Sequence, residues 1–160
     1  MPAPPPLNRM RLRRGFLLIG TIVLLAGCGS EARLSKTQYE QKVRSVYEDV
    51  RQAFRETKVG EAQLAGRVGN AQSALRNAAD ELDGVRPPGG VEEPNHDLAE
   101  GMREYAEDLD ALRKAAAAHD TKAIDRFNAE TPQNEAVDRI AEAAEEIRTK
   151  GYDLGPIATD

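Results

Sequence analysis

The chain has 160 residues and a formal net charge of −5; 31% of the residues are charged and only 4% are aromatic. This composition favours a helical protein with one modest core. All 27 acidic residues follow position 28, whereas four of the 22 basic residues precede it, so the chain from position 28 onward carries −9. So acidic a chain argues against nucleic-acid binding, whose affinity comes largely from Lys and Arg that neutralise phosphates.

The first 27 residues have the order of a secretory signal peptide, with a basic stretch, then an apolar run, then small residues. The basic stretch spans Arg9 to Arg14, and the apolar run begins at Phe16. That run of about 12 residues would form about 18 Å of helix, which is too short for a bilayer core of about 30 Å. We therefore expect residues 1–27 to be removed, and no permanent transmembrane helix to remain.

The apolar run ends in Leu25-Ala26-Gly27-Cys28, which resembles the lipobox of bacterial lipoproteins. The resemblance implies that the Cys28 thiol receives a diacylglycerol whose acyl chains, such as palmitate, anchor the protein. It also implies that a dedicated peptidase recognises Leu25, Ala26 and Gly27 and cuts before Cys28. Cys28 is the only cysteine, so the lipid would also explain an unpaired thiol in an exported chain. We expect a lipid-anchored protein on the extracytoplasmic face of the cell membrane.

Two features of the signal peptide stay open. Met10 also begins a complete signal, so translation from either Met1 or Met10 fits the pattern. Arg13-Arg14 belongs to a stretch that is similar to a twin-arginine export motif. The flanking residues depart from that motif and the apolar run is strongly hydrophobic, which favours general secretion.

The rest of the chain predicts an all-α fold, an antiparallel bundle of about four helices. We expect a lipidated tether over residues 28–34, the helical domain over residues 35–152 and a tail over residues 153–160. Apolar residues recur three and four positions apart, which is the spacing of one helix face. The four stripes are Tyr39, Val43, Val46, Tyr47, Val50, Ala53 and Phe54; Leu64, Val68, Ala71, Leu75, Ala78 and Leu82; Leu98, Met102, Tyr105, Leu109, Leu112 and Ala116; and Val137, Ile140, Ala144 and Ile147.

Capping signals predict where the first three helices begin and end. Ser35 and Gln38 form a capping box at the start of the first helix. The second helix is expected to end at Gly84, ahead of Pro87-Pro88. The third helix is expected to begin between positions 91 and 94 and to end near His119.

Further signals predict a short extra helix and then the fourth long one. Asp120 is placed to cap a short helix that carries Ile124 and Phe127. Thr131-Pro132 supplies a cap followed by a proline, which predicts the start of the fourth helix. Gly151 suits the left-handed residue that ends a helix and turns the chain back.

No constellation of residues predicts catalysis. The chain has no Gly-rich phosphate loop and no serine motif on a strand–turn–helix. Its two histidines, His96 and His119, lie near predicted helix ends, which is a poor position for acid–base catalysis. We expect neither an enzyme nor a cofactor, and the small Ala and Val residues of the predicted core argue against a large apolar cavity.

Metal binding is also not expected. Glu93-Pro94-Asn95-His96 matches the Glu-x-x-His element of di-iron bundles, but the second such element is missing. Met102 lies in an apolar stripe, which predicts core packing rather than haem ligation. Arg103 and Arg113 interleave with a row of carboxylates, which is typical of a solvated face rather than a calcium site. The carboxylates of this row are Glu100, Glu104, Glu107 and Asp108.

Two functions remain open from the sequence. The first is a monomeric, membrane-anchored domain that binds a protein or another component of the cell envelope. The alternative is a small-solute-binding or sensing bundle with its site in a groove near Tyr105, Arg103 and Pro87-Pro88. A solute would raise the thermal stability of the second kind of protein by mass action, whereas the first kind would respond only to its partner.

The lipobox generates a direct prediction. Cys28→Ser removes the thiol that the lipid modifies, so metabolic labelling with a palmitate analogue should be lost and the precursor should stay uncleaved. Detergent partitioning of the wild type provides the control. Lipid labelling that persists in Cys28→Ser would contradict the assignment.

Overall fold

The protein is an all-α bundle, and its helices follow the predicted stripes. The computed structural model describes residues 32–56 and 63–155. In chain order the helices are α1 (Lys36–Glu56), α2 (Leu64–Asp83), α3 (Glu92–Ala117), α4 (Thr121–Glu130) and α5 (Glu135–Thr149). The signal peptide, the lipobox and most of the tether lie outside the described residues.

The start of α1 forms because its caps satisfy backbone groups that a helix leaves unpaired. The Ser35 backbone N–H donates to Gln38 Oε1 at 2.9 Å, and the Gln38 N–H donates to Ser35 Oγ at 3.4 Å. Leu34 packs against the core that contains the fully buried Tyr39, as a hydrophobic staple requires. The predicted capping box is confirmed.

The helices pack side by side, with α2 between α1 and α3, and with α4 and α5 both on α3. Short connections make neighbouring helices antiparallel. Lys42 on α1 accordingly forms an ion pair with Glu81 on α2, and Arg139 on α5 pairs with Glu104 on α3 at 3.1 Å. The predicted bundle of about four long helices, with the short α4 between the third and the fourth, is confirmed.

The predicted stripes divide into a buried group and a half-buried group. The buried members are Tyr39, Val43, Val46, Val50, Val68, Ala71, Leu75, Ala78, Leu82, Leu98, Met102, Leu109, Ala116, Ala144 and Ile147. The partly buried members that pack against them are Tyr47, Phe54, Leu64, Tyr105, Leu112 and Ile140. Phe54 and Leu64 lie at the end of α1 and the start of α2, so the bundle is less closed at that end.

Two buried amides join the helices. Asn95 Nδ2 donates to the Leu82 carbonyl at 3.0 Å, and its Oδ1 accepts from the Tyr39 hydroxyl at 3.1 Å. Burial and the neighbouring Tyr152 raise the pKa of Tyr39, so its phenol stays protonated and can donate. Gln72 Nε2 donates to the Ala106 carbonyl at 2.8 Å. Because both amides have partners, neither leaves the cost of an unpaired buried polar group.

The start of α5 differs from the prediction. Thr131-Pro132 lies in a 3₁₀ turn over Thr131–Gln133, and the Thr131 hydroxyl donates back to the Phe127 carbonyl at 2.9 Å instead of capping a helix. Asn134 is the cap, since its Oδ1 accepts from the Val137 N–H at 3.1 Å. Asn is among the strongest N-cap residues, and this position also places acidic residues in the first turn of α5.

The end of α5 follows the prediction, but the packed domain extends further than expected. Gly151 has a φ of +88°, and the Tyr152 N–H donates to the Ile147 carbonyl at 3.3 Å, which completes a Schellman turn. Leu154, expected in the tail, is 2% exposed. Arg44 holds this segment through two hydrogen bonds to the Asp153 carbonyl, so residues 153–155 belong to the domain.

Over residues 32–56 and 63–155, no helix combines the length and the apolar character that crossing a bilayer requires.

The buried stripes generate a stability prediction. Leu75 and Leu109 are each 2% exposed, so Leu75→Ala and Leu109→Ala should each lower the free energy of unfolding by about 2–5 kcal/mol. Glu107 is exposed, and Glu104 forms only a partly exposed ion pair with Arg139. Glu107→Gln should change the free energy of unfolding by no more than about 0.5 kcal/mol, and Glu104→Gln by no more than about 1 kcal/mol. Urea denaturation of the four variants measures the contrast, and nearly neutral Leu variants would contradict the packing.

A pair of glycines provides a second test. A Cβ on Gly101 would lie 2.9 Å from Ile140 Cγ1 and 3.2 Å from the Ala136 carbonyl oxygen, because α5 crosses α3 closely there. Gly101→Ala should therefore destabilise the fold by about 1–3 kcal/mol. A Cβ on Gly66 meets nothing within 4 Å, so Gly66→Ala should stabilise α2 by up to about 1 kcal/mol. Thermal melts that rank the two variants in the opposite order would refute the close crossing.

Candidate binding clefts

The first cleft exists because α4 is a thin cover for the second half of α3. α4 has ten residues, none of which is buried. Its two large apolar side chains, Ile124 and Phe127, are only partly buried. The space between them and the facing ends of α1 and α2 is a cleft of about 480 Å³, which we call the α4 cleft.

The α4 cleft has an apolar and partly aromatic lining. Its walls are formed by Phe54, Leu64, Val68, Ala71, Tyr105, Leu109, Leu112, Ile124, Phe127, Asn128, Thr131 and Pro132. Asn128 and Thr131 are the polar side chains at its α4 edge. An apolar surface with a few polar groups is the usual character of a small-molecule or side-chain site.

A second cavity, the α1–α5 groove, lies between α1 and α5 above the core. It measures about 340 Å³, with Leu75 and Met102 from the core of α2 and α3 among its lining. Its other lining residues are Tyr47, Val50, Arg51, Phe54, Tyr105, Thr131, Val137 and Ile140. Burial raises the pKa values of Tyr47 and Tyr105, so both phenols stay protonated at neutral pH.

Phe54 and Tyr105 separate the two cavities. Their rings are stacked, with centroids 6.0 Å apart and planes 8° from parallel. Both residues line the α4 cleft and the α1–α5 groove. The stacked pair is therefore a wall that the two sites share.

Both cavities are open clefts beside the packed core, and the size of the core side chains does not reveal them. The Ala and Val residues of the core do pack closely. The α4 cleft forms instead where helices of unequal length leave part of α3 without a long neighbour. Asn134, the cap of α5, bonds to Asp108 at 2.7 Å, so only the short α4 follows the last turns of α3.

The groove predicted from sequence does not form as expected, because its three members lie apart. Tyr105 lines both cavities. Arg103 is turned toward α2, where it pairs with Asp80 and Asp83. Pro87 is at the far end of α3, where its carbonyl accepts from Arg33. Tyr105 is 13 positions beyond Glu92 in α3, which corresponds to about 20 Å along the helix axis.

The ionisable cluster nearest to a metal site is held by an arginine. Ligand atoms of Asp83, His96 and Glu100 all lie within 4.8 Å of one another. The guanidinium of Arg103 already pairs with Asp83, and with Glu100 at 2.8 Å. These hydrogen bonds, that to Asp83 above all, raise the pKa of Arg103. The cluster is thus an ion-pair network that joins α2 to α3, and Glu93 of the Glu-x-x-His element is not among its members.

The other residues that were weighed as metal ligands lie in the core or on the surface of α3. Met102 is 1% exposed and lies in the core. Asp108 accepts a hydrogen bond from Asn134, and Glu107 is exposed. Leu25, Ala26, Gly27 and Cys28 lie outside the described residues.

Sequence reasoning missed Arg51 as a candidate binding residue. Its Nε is buried, yet no acceptor lies within hydrogen-bond distance among the described residues. Its Nη2 pairs with Glu48 at 2.6 Å. The spacing of Arg51 and Glu48 predicts only a surface pair along the helix, which contributes little to stability. Only the position of α5 shows that this arginine borders a groove.

Comparison with protein-family models, with curated proteins and with solved structures found no match to this chain.

Proposed function

We propose that this protein is a lipid-anchored, extracytoplasmic lipoprotein whose helical domain binds an apolar segment of another envelope protein in the α4 cleft. The lipobox supports the anchor, and the position of the cleft relative to the tether carries the proposal. The role is one of binding without catalysis. The cytoplasmic membrane and an outer membrane are both compatible with the anchor.

The start of α1 and the cleft are at opposite ends of that helix. The chain enters α1 at Lys36, whereas Phe54 at the cleft is 18 residues further along the same continuous helix. This separation corresponds to about 27 Å along the helix axis. A domain held at its α1 start would therefore present the cleft away from the membrane, where a partner can approach it.

The lining of the cleft supports an apolar contact. Tyr105, Leu112 and Phe127 are partly buried and pack against the core without being covered. Apolar side chains that a partner covers contribute about 25 cal/mol per Å² of area removed from water. Aromatic residues are also enriched where protein interfaces gain most of their affinity. The cleft thus offers the kind of surface that a segment with apolar side chains can bury.

A second candidate function, the binding or sensing of a small solute, is supported by the volumes of the two cavities. The α4 cleft, at about 480 Å³, and the α1–α5 groove, at about 340 Å³, both fall within the range of about 300–1,000 Å³ typical of small-molecule sites. The stacked Phe54 and Tyr105 would contact a ligand in either cavity.

Photocrosslinking in intact cells tests the proposed function. A photoreactive phenylalanine analogue at position 127, which lines the cleft, should form one discrete protein adduct. The same analogue at position 126, where the residue is exposed and does not line the cleft, should not. The adduct should disappear on adding Leu112→Glu and persist on adding Ala111→Glu, since position 112 lines the cleft and position 111 faces solvent.

Circular dichroism of the two Glu variants confirms that both stay folded. An adduct that survives Leu112→Glu, or no adduct at position 127, would refute protein binding in the cleft. A small mass increase at position 127 without a protein adduct would refute it as well, and would favour the solute-binding candidate.

A further inference from the structure

The α1–α5 groove combines an apolar interior with a single cation. Apolar side chains of α1 and α5, including Val50, Phe54, Val137 and Ile140, form its walls. Among the described lining residues Arg51 alone carries a charge. This arrangement is complementary to a molecule with an apolar body and one anionic group.

Arg51 has a donor that the protein itself leaves unused. Its side chain is 36% exposed, and its outer nitrogen Nη2 pairs with Glu48. The inner nitrogen Nε is buried, and within the described part of the chain it has no acceptor. A buried N–H on a charged group is costly when unpaired, so such a donor in a native protein takes an acceptor from outside the chain, either a water or a ligand.

We propose that the α1–α5 groove binds a small apolar monocarboxylate, whose carboxylate accepts a hydrogen bond from Arg51 Nε and whose apolar body covers Val137 and Ile140. The volume of about 340 Å³ is near the lower limit of small-molecule sites, so the ligand is a short-chain or single-ring acid rather than a long lipid. A charge-assisted hydrogen bond is stronger than a neutral one, which selects the acid over the corresponding alcohol. The inference deepens the solute-binding candidate, on which it rests, and does not require protein binding in the α4 cleft.

Calorimetric titration of the purified full chain with octanoate tests the proposal, with octanol as the neutral probe of similar shape. Octanoate should bind saturably, and octanol should bind about tenfold more weakly or worse, as the loss of a hydrogen bond to a charged group implies. Arg51→Met keeps much of the apolar stem but removes the donor, and should weaken octanoate binding by a similar factor. Arg55→Met, which removes an exposed arginine one turn further along α1, should leave the affinity unchanged.

A second variant keeps the test independent of any effect of Arg51 on folding. Val137→Phe fills the groove from α5 without touching a charge and should abolish binding of both probes, while the circular dichroism melt verifies that the helices remain. Absence of saturable octanoate binding to the wild type would overturn the proposal, as would equal affinity in Arg51→Met. Neither result would alter photocrosslinking at position 127, so failure here is distinguishable from failure of protein binding.

Discussion

The coverage of α3 by its neighbours decides where this molecule is closed and where it is open. α2, α4 and α5 all pack on this helix of 26 residues. α5 approaches so closely at Gly101 that even a methyl group would collide with Ile140. Yet Asn134, which precedes α5, already lies beside Asp108, so the last turns of α3 depend on the ten residues of α4. The α4 cleft follows from this difference in length.

One polar network of the core strengthens the closed end of the bundle, where α1 and α3 begin and α2 ends. Tyr39, Asn95 and the Leu82 carbonyl form a hydrogen-bonded chain that joins α1, α2 and α3. The ring of Tyr152 packs edge-on against Tyr39, with centroids 5.5 Å apart. A satisfied buried network fixes one arrangement of the helices. The opposite end is made of half-buried apolar side chains, which is where local opening costs least and where binding sites are expected.

The helices could be predicted from sequence because their determinants are local. Ser35 and Gln38 cap α1 with neighbours three residues apart, and Gly151 adopts a conformation that other residues disfavour. The start of α5 was misplaced because Thr131-Pro132 and Asn134 are both good starting signals, and the competition is decided by how Thr131 folds back on Phe127. Local patterns therefore predicted the five helices, and only the start of α5 was placed wrongly.

The candidate sites could not be predicted, because they depend on contacts between distant segments. Leu154 is buried in the core, next to the Asp153 carbonyl that Arg44 holds from α1. No signal in the sequence near Leu154 predicts this burial. Arg51 is a surface residue by its spacing on α1 and borders a groove only once α5 is in place. Among the residues that line both cavities, Tyr105 alone was predicted as a site residue, in the groove expected near Arg103 and Pro87-Pro88. The buried face of each helix depends on residues that are close in sequence, whereas the mismatch between helix lengths depends on the whole fold.

The shared wall of Phe54 and Tyr105 connects the two proposed functions physically. An occupant of the α1–α5 groove touches the same stacked rings that an occupant of the α4 cleft touches from the other side. Interiors repack in discrete steps rather than deforming continuously, so a shift of the stacked pair changes the shape of both cavities. If a solute in the groove changes the affinity of the α4 cleft for its partner, then the partner must change the affinity of the groove for the solute by the same factor. Solute sensing and partner binding are thus compatible in one domain, and the stacked pair is the element through which one would regulate the other.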